Sequence, residues 1–262
     1  MKISIIGAGN VAYHLGKALL NVGHTILSVN SPTEANRKEL ASELLAEPLD
    51  INPFHIPDAT EVVLIAVRDD VLKVVADSLE KKNYLVLHTS GTQPMSMLDA
   101  FPNHGVLYPL QTLSRQKAID YKQLPLCIEA NGEGSWNMLH KLASTINRSF
   151  HEVNSDKRKV LHIAAVFCCN FTNHLYNIAG NIVAAEELDF DLLRPLIAET
   201  SEKVMHHLPE EMQTGPAVRS DQAVMNQHLD YLKDHPDWRE IYKLMSEDIL
   251  KSQDNIVRLH QE

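Results

Sequence analysis

Gly7, Gly9 and Ala12 stand in a GxGxxA spacing, and that spacing suits one piece of chemistry, holding a pyrophosphate against backbone. Gly7 would make a tight turn, Gly9 would keep a side chain out of the path of the phosphates, and Ala12 would let a helix pack closely on a strand. Asn10 and Val11 complete the loop, where unpaired N–H groups and the positive end of a helix dipole favour an anion. The same glycines could serve only a packed turn. Their setting favours the dinucleotide reading: a β-branched apolar run over residues 3–6 precedes them, and Val11, Leu15, Ala18 and Leu19 follow at helical spacing, so the motif joins a strand to a helix.

The other candidate site residues fall where further strands should end. In dinucleotide folds an Asp or Glu about 20 residues beyond the glycines holds the ribose 2′-hydroxyl. Asn30 and Ser31 occupy that place. The missing carboxylate removes repulsion against a 2′-phosphate, and Ser31, Thr33, Arg37 and Lys38 could bind one, so NADP is expected and NAD is the lesser alternative. Arg37 and Lys38 could equally be the solvated face of a helix over 34–46. Ligands in open α/β sheets bind beyond the carboxyl ends of the strands, which puts Ala66, Val67 and Arg68 at one lip of a crevice and His88 with Ser90 at another.

These positions require an alternating pattern to hold them. Strands are expected over 25–29, 61–67, 84–87, 105–110, 125–129 and 149–153, with helices over 34–46, 69–80 and 135–146, and Pro and Asp punctuation over 48–58. The continuous apolar run over 61–67 is that of a strand buried on both faces. At Asn154 and Ser155 the pattern changes to helix alone, with helices expected over 156–185, 189–207, 220–234 and 238–259 and breaks at Pro209 and Gly215–Pro216. Domains over 1–153 and 154–262 follow, a Rossmann-like doubly wound α/β sheet followed by an all-helical domain.

A net charge of −10 argues against binding nucleic acid or anionic membrane. The three cysteines, Cys127, Cys168 and Cys169, make no CxxC pattern and read as buried thiols in a reducing compartment. With the first strand starting at residue 2 there is no room for a signal peptide, so a cytoplasmic location is expected. His206 and His207 point to different helical faces, and no metal site is expected.

Residues 160–185 contain no Lys, Arg, Asp or Glu. Their His and Asn content is too polar for a membrane span, so they are expected to form a central helix buried by protein. Asn170, Asn173, His174, Asn177 and Asn181 form a polar stripe at three-and-four spacing, with His162 two turns before Asn170. The stripe could meet another helix or a second subunit, or its first part, His162 to Asn170, could wall a substrate cleft. An apolar helix in a domain of about 110 residues has few places to bury every face, so a homodimer through the helical domain is expected. At 215–228, Arg219 offers a fork for a carboxylate or phosphate, and Asp221 lies on one face with His228; the alternative is an ordinary first-turn acid with a surface neighbour.

The GAGNVA fingerprint ahead of an all-helical half resembles the superfamily of 6-phosphogluconate and 3-hydroxyisobutyrate dehydrogenases, ketopantoate reductase and pyrroline-5-carboxylate reductase. HTSGT at 88–92, YPLQTL at 108–113, HIAAVFCCN at 162–170 and GPAVRSDQAVMNQHL at 215–229 resemble more closely an uncharacterised bacterial family of NADP-oxidoreductase-like proteins, over nearly the whole chain. The hydroxyacid dehydrogenases in the superfamily carry a catalytic lysine four residues before an asparagine on the long helix. Asn170 fits the asparagine, but Val166 stands where the lysine would be. His162 is then the substitute acid–base group and His88 its competitor, since either imidazole could protonate a carbonyl or imine as hydride arrives. The expected activity is hydride transfer between NADP(H) and a small carbonyl, imine or hydroxy acid. The alternative is a dinucleotide-binding sensor or scaffold without turnover.

Overall fold

The computed structural model describes residues 1–51 and 54–259. Residues 52 and 53, inside the expected 48–58 punctuation, and 260–262, at the end of the expected helical domain, lie outside the described residues. Eight strands form one sheet: β1 Lys2–Ile6, β2 Thr25–Asn30, β3 Glu47–Leu49, β4 Val62–Ile65, β5 Leu85–His88, β6 His104–Pro109, β7 Leu126–Ala130 and β8 Phe150–Glu152. They lie in the order β3-β2-β1-β4-β5-β6-β7-β8. Pairing is parallel from β3 to β6, with Ile3 opposite Val62 and Ile6 opposite Ile65. It turns antiparallel at β6–β7 and parallel again at β7–β8. Chain order reverses at β1 and β4, and a crevice opens at the carboxyl ends of such a pair.

Alternation along the strands makes two cores. Ile3, Ile5, Leu64 and Leu87 face one side, under α1 (Asn10–Asn21), α2 (Glu34–Leu44) and α4 (Glu133–Ile146). Ile6, Val63, Ile65 and Val86 face the other, under α3 (Asp69–Ser78) through Leu72 and Ala76. Both β4 and β5 are buried along their whole length, as a strand covered on both faces must be. The expected strands are all present with ends displaced by one to a few residues. The pattern missed β3, a three-residue edge strand containing Pro48, a residue that an edge tolerates because its missing N–H breaks no ladder.

Asn154 starts the helical part as expected, its side chain accepting from Lys157 N at 2.9 Å to cap α5 (Ser155–Ala165). Compact packing, however, divides the chain between Met1–Phe171 and Thr172–Glu262, later than the change of pattern at 154. Helical structure continues from α5 through a π-helical segment, Val166–Phe171, into α6 (Thr172–Ala185). The first unit keeps α5 because Arg158 bonds it to the sheet strands, as described below.

The expectation that the uncharged stretch is buried does not hold for the single chain. Val160 is 67% exposed and Ile163 50%, and within α6 only Ile178 is buried. Cys127 is buried as expected, but Cys168 and Cys169 are exposed. The second unit contains α6, α7 (Arg194–His206), α8 (Gln222–Tyr231) and α9 (Pro236–Leu259). Its buried apolar residues are few, Ile178, Ala217, Met225 and Leu232 among them. Among the described residues no helix is long and apolar enough to cross a membrane.

Candidate functional site

The loop between β1 and α1 places its two glycines in different surroundings. Gly7 has a positive φ of 109°, and a Cβ on it would lie 2.1 Å from the Ala66 carbonyl oxygen at the end of β4. Its N–H donates to the Asn30 carbonyl at 2.8 Å. Packing alone therefore requires glycine at position 7. Gly9 is different. A Cβ there would meet nothing within 4 Å among the described residues, its φ of −88° is open to any residue, and it starts α1 without a side-chain cap. No acidic residue stands in the first turn, so free N–H groups and the helix dipole face open space. Ala12 is fully buried against the core, and Ala66 and Val67 follow β4 beside Gly7. These residues fit a dinucleotide pyrophosphate.

The end of β2 differs from expectation. Asn30 is fully buried; its Oδ1 accepts from Ser28 Oγ at 2.9 Å, and its Nδ2 donates to the His55 carbonyl at 2.9 Å and the Asp50 carbonyl at 3.4 Å. Its carboxamide braces the chain rather than reaching toward a ribose. Ser31 is also buried, and its carbonyl accepts from Arg37 Nη1 at 2.9 Å. Arg37 in turn pairs with Asp50 at 2.9 Å, and the exposed Lys38 pairs with Glu34. Arg37 thus fixes the turn that holds Ser31.

A cavity of about 540 Å³ lies within the first unit. Tyr108 at the end of β6, His162 on α5, Val166 and Asn170 are among the residues that line it. His162 and Asn170, paired on sequence grounds, therefore share one cavity wall. Local sequence pattern marks no role for Tyr108. Its hydroxyl lies 3.0 Å from His162 Nδ1, with the rings edge to face. Burial pushes the Tyr108 phenol up from its ordinary value, so it remains a hydrogen-bond donor. Gly91 makes the pair possible, because a Cβ at 91 would lie 2.6 Å from His162 Nδ1 and 2.9 Å from Tyr108 Cζ. The one sequence signal for this arrangement is a glycine three residues beyond the end of β5.

Arg158, one helical turn before His162, was also missed. It is 1% exposed, and its guanidinium donates to Glu129 Oε2 at 2.5 Å, the Ser90 carbonyl at 3.1 Å, the Gln93 carbonyl at 2.7 Å and Ser155 Oγ at 3.2 Å. One side chain ties α5 to the end of β7 and the loop after β5. Ser90 is buried and its hydroxyl accepts from Thr92 N and Gln93 N at 3.1 and 2.9 Å, so it shapes that loop.

His88 is fully enclosed. Its Nδ1 accepts from Ser90 N at 3.2 Å, and its Nε2 has no hydrogen-bond partner among the described residues. Burial, reinforced by the Arg158 guanidinium, lowers its pKa to about 4. An imidazole neutral at pH 7, and not among the residues lining the cavity, is poorly placed to donate a proton. Asp221, in the second unit, caps α8 by accepting from Val224 N at 3.2 Å, while Arg219 is exposed. Neither lines the cavity. No cluster of His, Cys, Asp and Glu among the described residues is arranged to hold a metal.

A Rossmann-like domain model matches residues 1–112, and the model of a domain of unknown function, DUF2520, matches residues 124–249. Among solved structures, a “putative NADP oxidoreductase” from Bacteroides fragilis is 37% identical, over 95% of this chain and 98% of that one, with a TM-score of 0.89. Two others share the fold at 12% identity and a TM-score of 0.63. A Streptococcus pyogenes 1-pyrroline-5-carboxylate reductase covers 96% of this chain and 98% of its own, and a Streptomyces aurantiacus imine reductase covers 100% of both. No curated protein sequence matches. Related over almost its full length to the Bacteroides protein, this chain belongs to the family that joins a Rossmann-like domain to a DUF2520 domain.

Proposed function

We propose that the protein is an NADP(H)-dependent oxidoreductase acting on a small carbonyl, imine or hydroxy acid, with the dinucleotide held by the loop from Gly7 to Ala12 and the Tyr108–His162 pair managing the proton. The pair carries this reading, because it puts a titratable donor in the wall of a cavity. When bound, the nicotinamide supplies or accepts hydride. The protein's part is the proton. Protonated His162 donates Nδ1–H to Tyr108 Oη and keeps Nε2–H for the substrate. After Nε2 gives up its proton, the neutral imidazole keeps Nδ1–H on Tyr108 Oη, so the same hydrogen bond holds the tautomer whose bare Nε2 can take a proton back. Asn170 in the same wall can orient the substrate oxygen or nitrogen. The absence of a carboxylate at Asn30 and the name of the Bacteroides relative support NADP over NAD.

The test is NADPH binding followed by its fluorescence, and NADPH consumption against a panel of cyclic imines and small 2-oxo acids. His162→Ala should lower kcat by about 10²-fold or more and leave dinucleotide affinity unchanged. Binding without turnover on any member would favour the sensor reading, which the apolar Val166 in the cavity wall also supports. Failure to bind NADPH and NADH would overturn both.

The exposed apolar side chains Val160, Ile163, Leu196 and Met205 support a homodimer built on the helical part, since a lone chain would leave them in water. Light scattering at micromolar concentration should give twice the chain mass, and a stable monomer would refute the dimer. The free cysteines suit a cytoplasmic location.

A further inference from the structure

The segment after β6 does two things. Leu110, Gln111, Thr112 and Leu113 line the cavity, and the same stretch holds the start of α1. The Leu113 carbonyl accepts from Asn10 Nδ2 at 2.9 Å, and the Ser114 carbonyl lies 3.0 Å from His14 Nε2. Arg115 Nη2 donates to the Ala8 carbonyl at 2.6 Å, between the two glycines of the loop, and its guanidinium lies 5.4 Å from the centre of the Tyr13 ring. Nη1 lies 2.9 Å from Glu39 Oε2 on α2.

We infer that Arg115 is a phosphoryl ligand of the dinucleotide; this rests on the proposed function, in which the Gly7–Ala12 loop holds that dinucleotide. A full positive charge is anchored to the carbonyl next to Gly9, beside a helix N-terminus that has no side-chain cap and no acid in its first turn. Of the five N–H donors of a guanidinium, Ala8 and Glu39 engage two. Glu39 is 58% exposed, so its hold on Arg115 is weak in water, and a phosphoryl oxyanion, which guanidinium can bind through two N–H groups, competes well for it. Arg37 is committed to Asp50 and Ser31, and Lys38 to Glu34.

Titration calorimetry of the full chain with NADP and, separately, NAD tests this on the wild type, Arg115→Gln and Glu39→Gln. Arg115→Gln should weaken binding by about tenfold or more, with thermal melting of the ligand-free protein close to wild type. An equal loss for both dinucleotides supports a pyrophosphate contact, and a loss confined to NADP supports a 2′-phosphate contact. Glu39→Gln, which releases Arg115, should tighten binding; if Arg115→Gln fails to fold, this variant decides. Wild-type affinity for both dinucleotides in Arg115→Gln, or no tightening in Glu39→Gln, overturns the inference while the dinucleotide reading stands. A wild-type protein that binds neither dinucleotide overturns that reading and the inference with it.

Discussion

Gly91 lies so close to His162 that a Cβ at position 91 would fall 2.6 Å from Nδ1, the nitrogen that faces Tyr108 Oη. A methyl group placed there must displace one ring or the other. Gly91→Ala should therefore separate the pair with little damage to the sheet, and Gly91→Val should do so more severely. The expected result is a fall in kcat of about 10²-fold, the scale of a lost general acid, with NADPH affinity unchanged. If kcat survives in Gly91→Ala, the pair does not handle the proton.

Gly7 and Gly9 should respond differently to the same substitution. Gly7→Ala combines a positive φ with a Cβ 2.1 Å from the Ala66 oxygen, so it strains the β1–β4 junction, and about 2–4 kcal/mol of stability should be lost. Gly9→Ala meets no protein atom within 4 Å. Its melting temperature should match wild type while dinucleotide affinity drops. Equal affinity in Gly9→Ala and wild type would mean that no ligand approaches there.

The sequence announced what local pattern can encode. Alternation and apolar runs gave the strands, and the Asn154 cap gave the start of α5. His162 and Asn170 were identified together because an uncharged helix makes isolated polar groups stand out. What escaped depended on contacts remote in sequence. Tyr108 meets His162 across 54 residues, and Arg158 meets Glu129 across 29; no periodicity marks either partner. Arg158 is the instructive miss, since an arginine near the start of a helix reads as surface and only the carbonyls of Ser90 and Gln93 and the carboxylate of Glu129 make it a buried one. Asn30 shows the reverse error. A polar residue at the right distance from the glycines reads as a ligand, and three hydrogen bonds, two of them to carbonyls 20 and 25 residues away, engage its side chain.

His88 should make the fold sensitive to acid. Its pKa is lowered from 6.5 to about 4 by burial, so between those values the unfolded chain takes up a proton that the folded chain refuses. Stability from this group is fully present above pH 6.5 and is lost as pH falls toward 4, by about 3 kcal/mol in all. Denaturant unfolding of wild type and His88→Asn at pH 7 and pH 4.5 isolates it from the other histidines. The variant keeps an acceptor for Ser90 N and should lose less stability than wild type over that interval. Parallel pH profiles would show that His88 does not titrate in this way.

Arg158 joins fold to site. Removing its side chain leaves the carboxylate of Glu129, 16% exposed, with Ser155 Oγ but no cation, and takes a donor from the carbonyls of Ser90 and Gln93; breaking one side of a buried ion pair typically costs about 3–5 kcal/mol. Arg158→Met should fall in that range. Lysine keeps the charge, but its single ammonium cannot reach in the directions of Glu129, Ser90 and Gln93 together, so Arg158→Lys should recover only part of the loss. Because α5 carries His162 one turn beyond Arg158, a shift of the helix also moves the imidazole relative to Tyr108. Arg158→Lys, the milder variant, should therefore remain folded at 25 °C yet show a lower kcat with little change in dinucleotide affinity. A variant that loses stability but keeps full turnover would confine Arg158 to holding the helix.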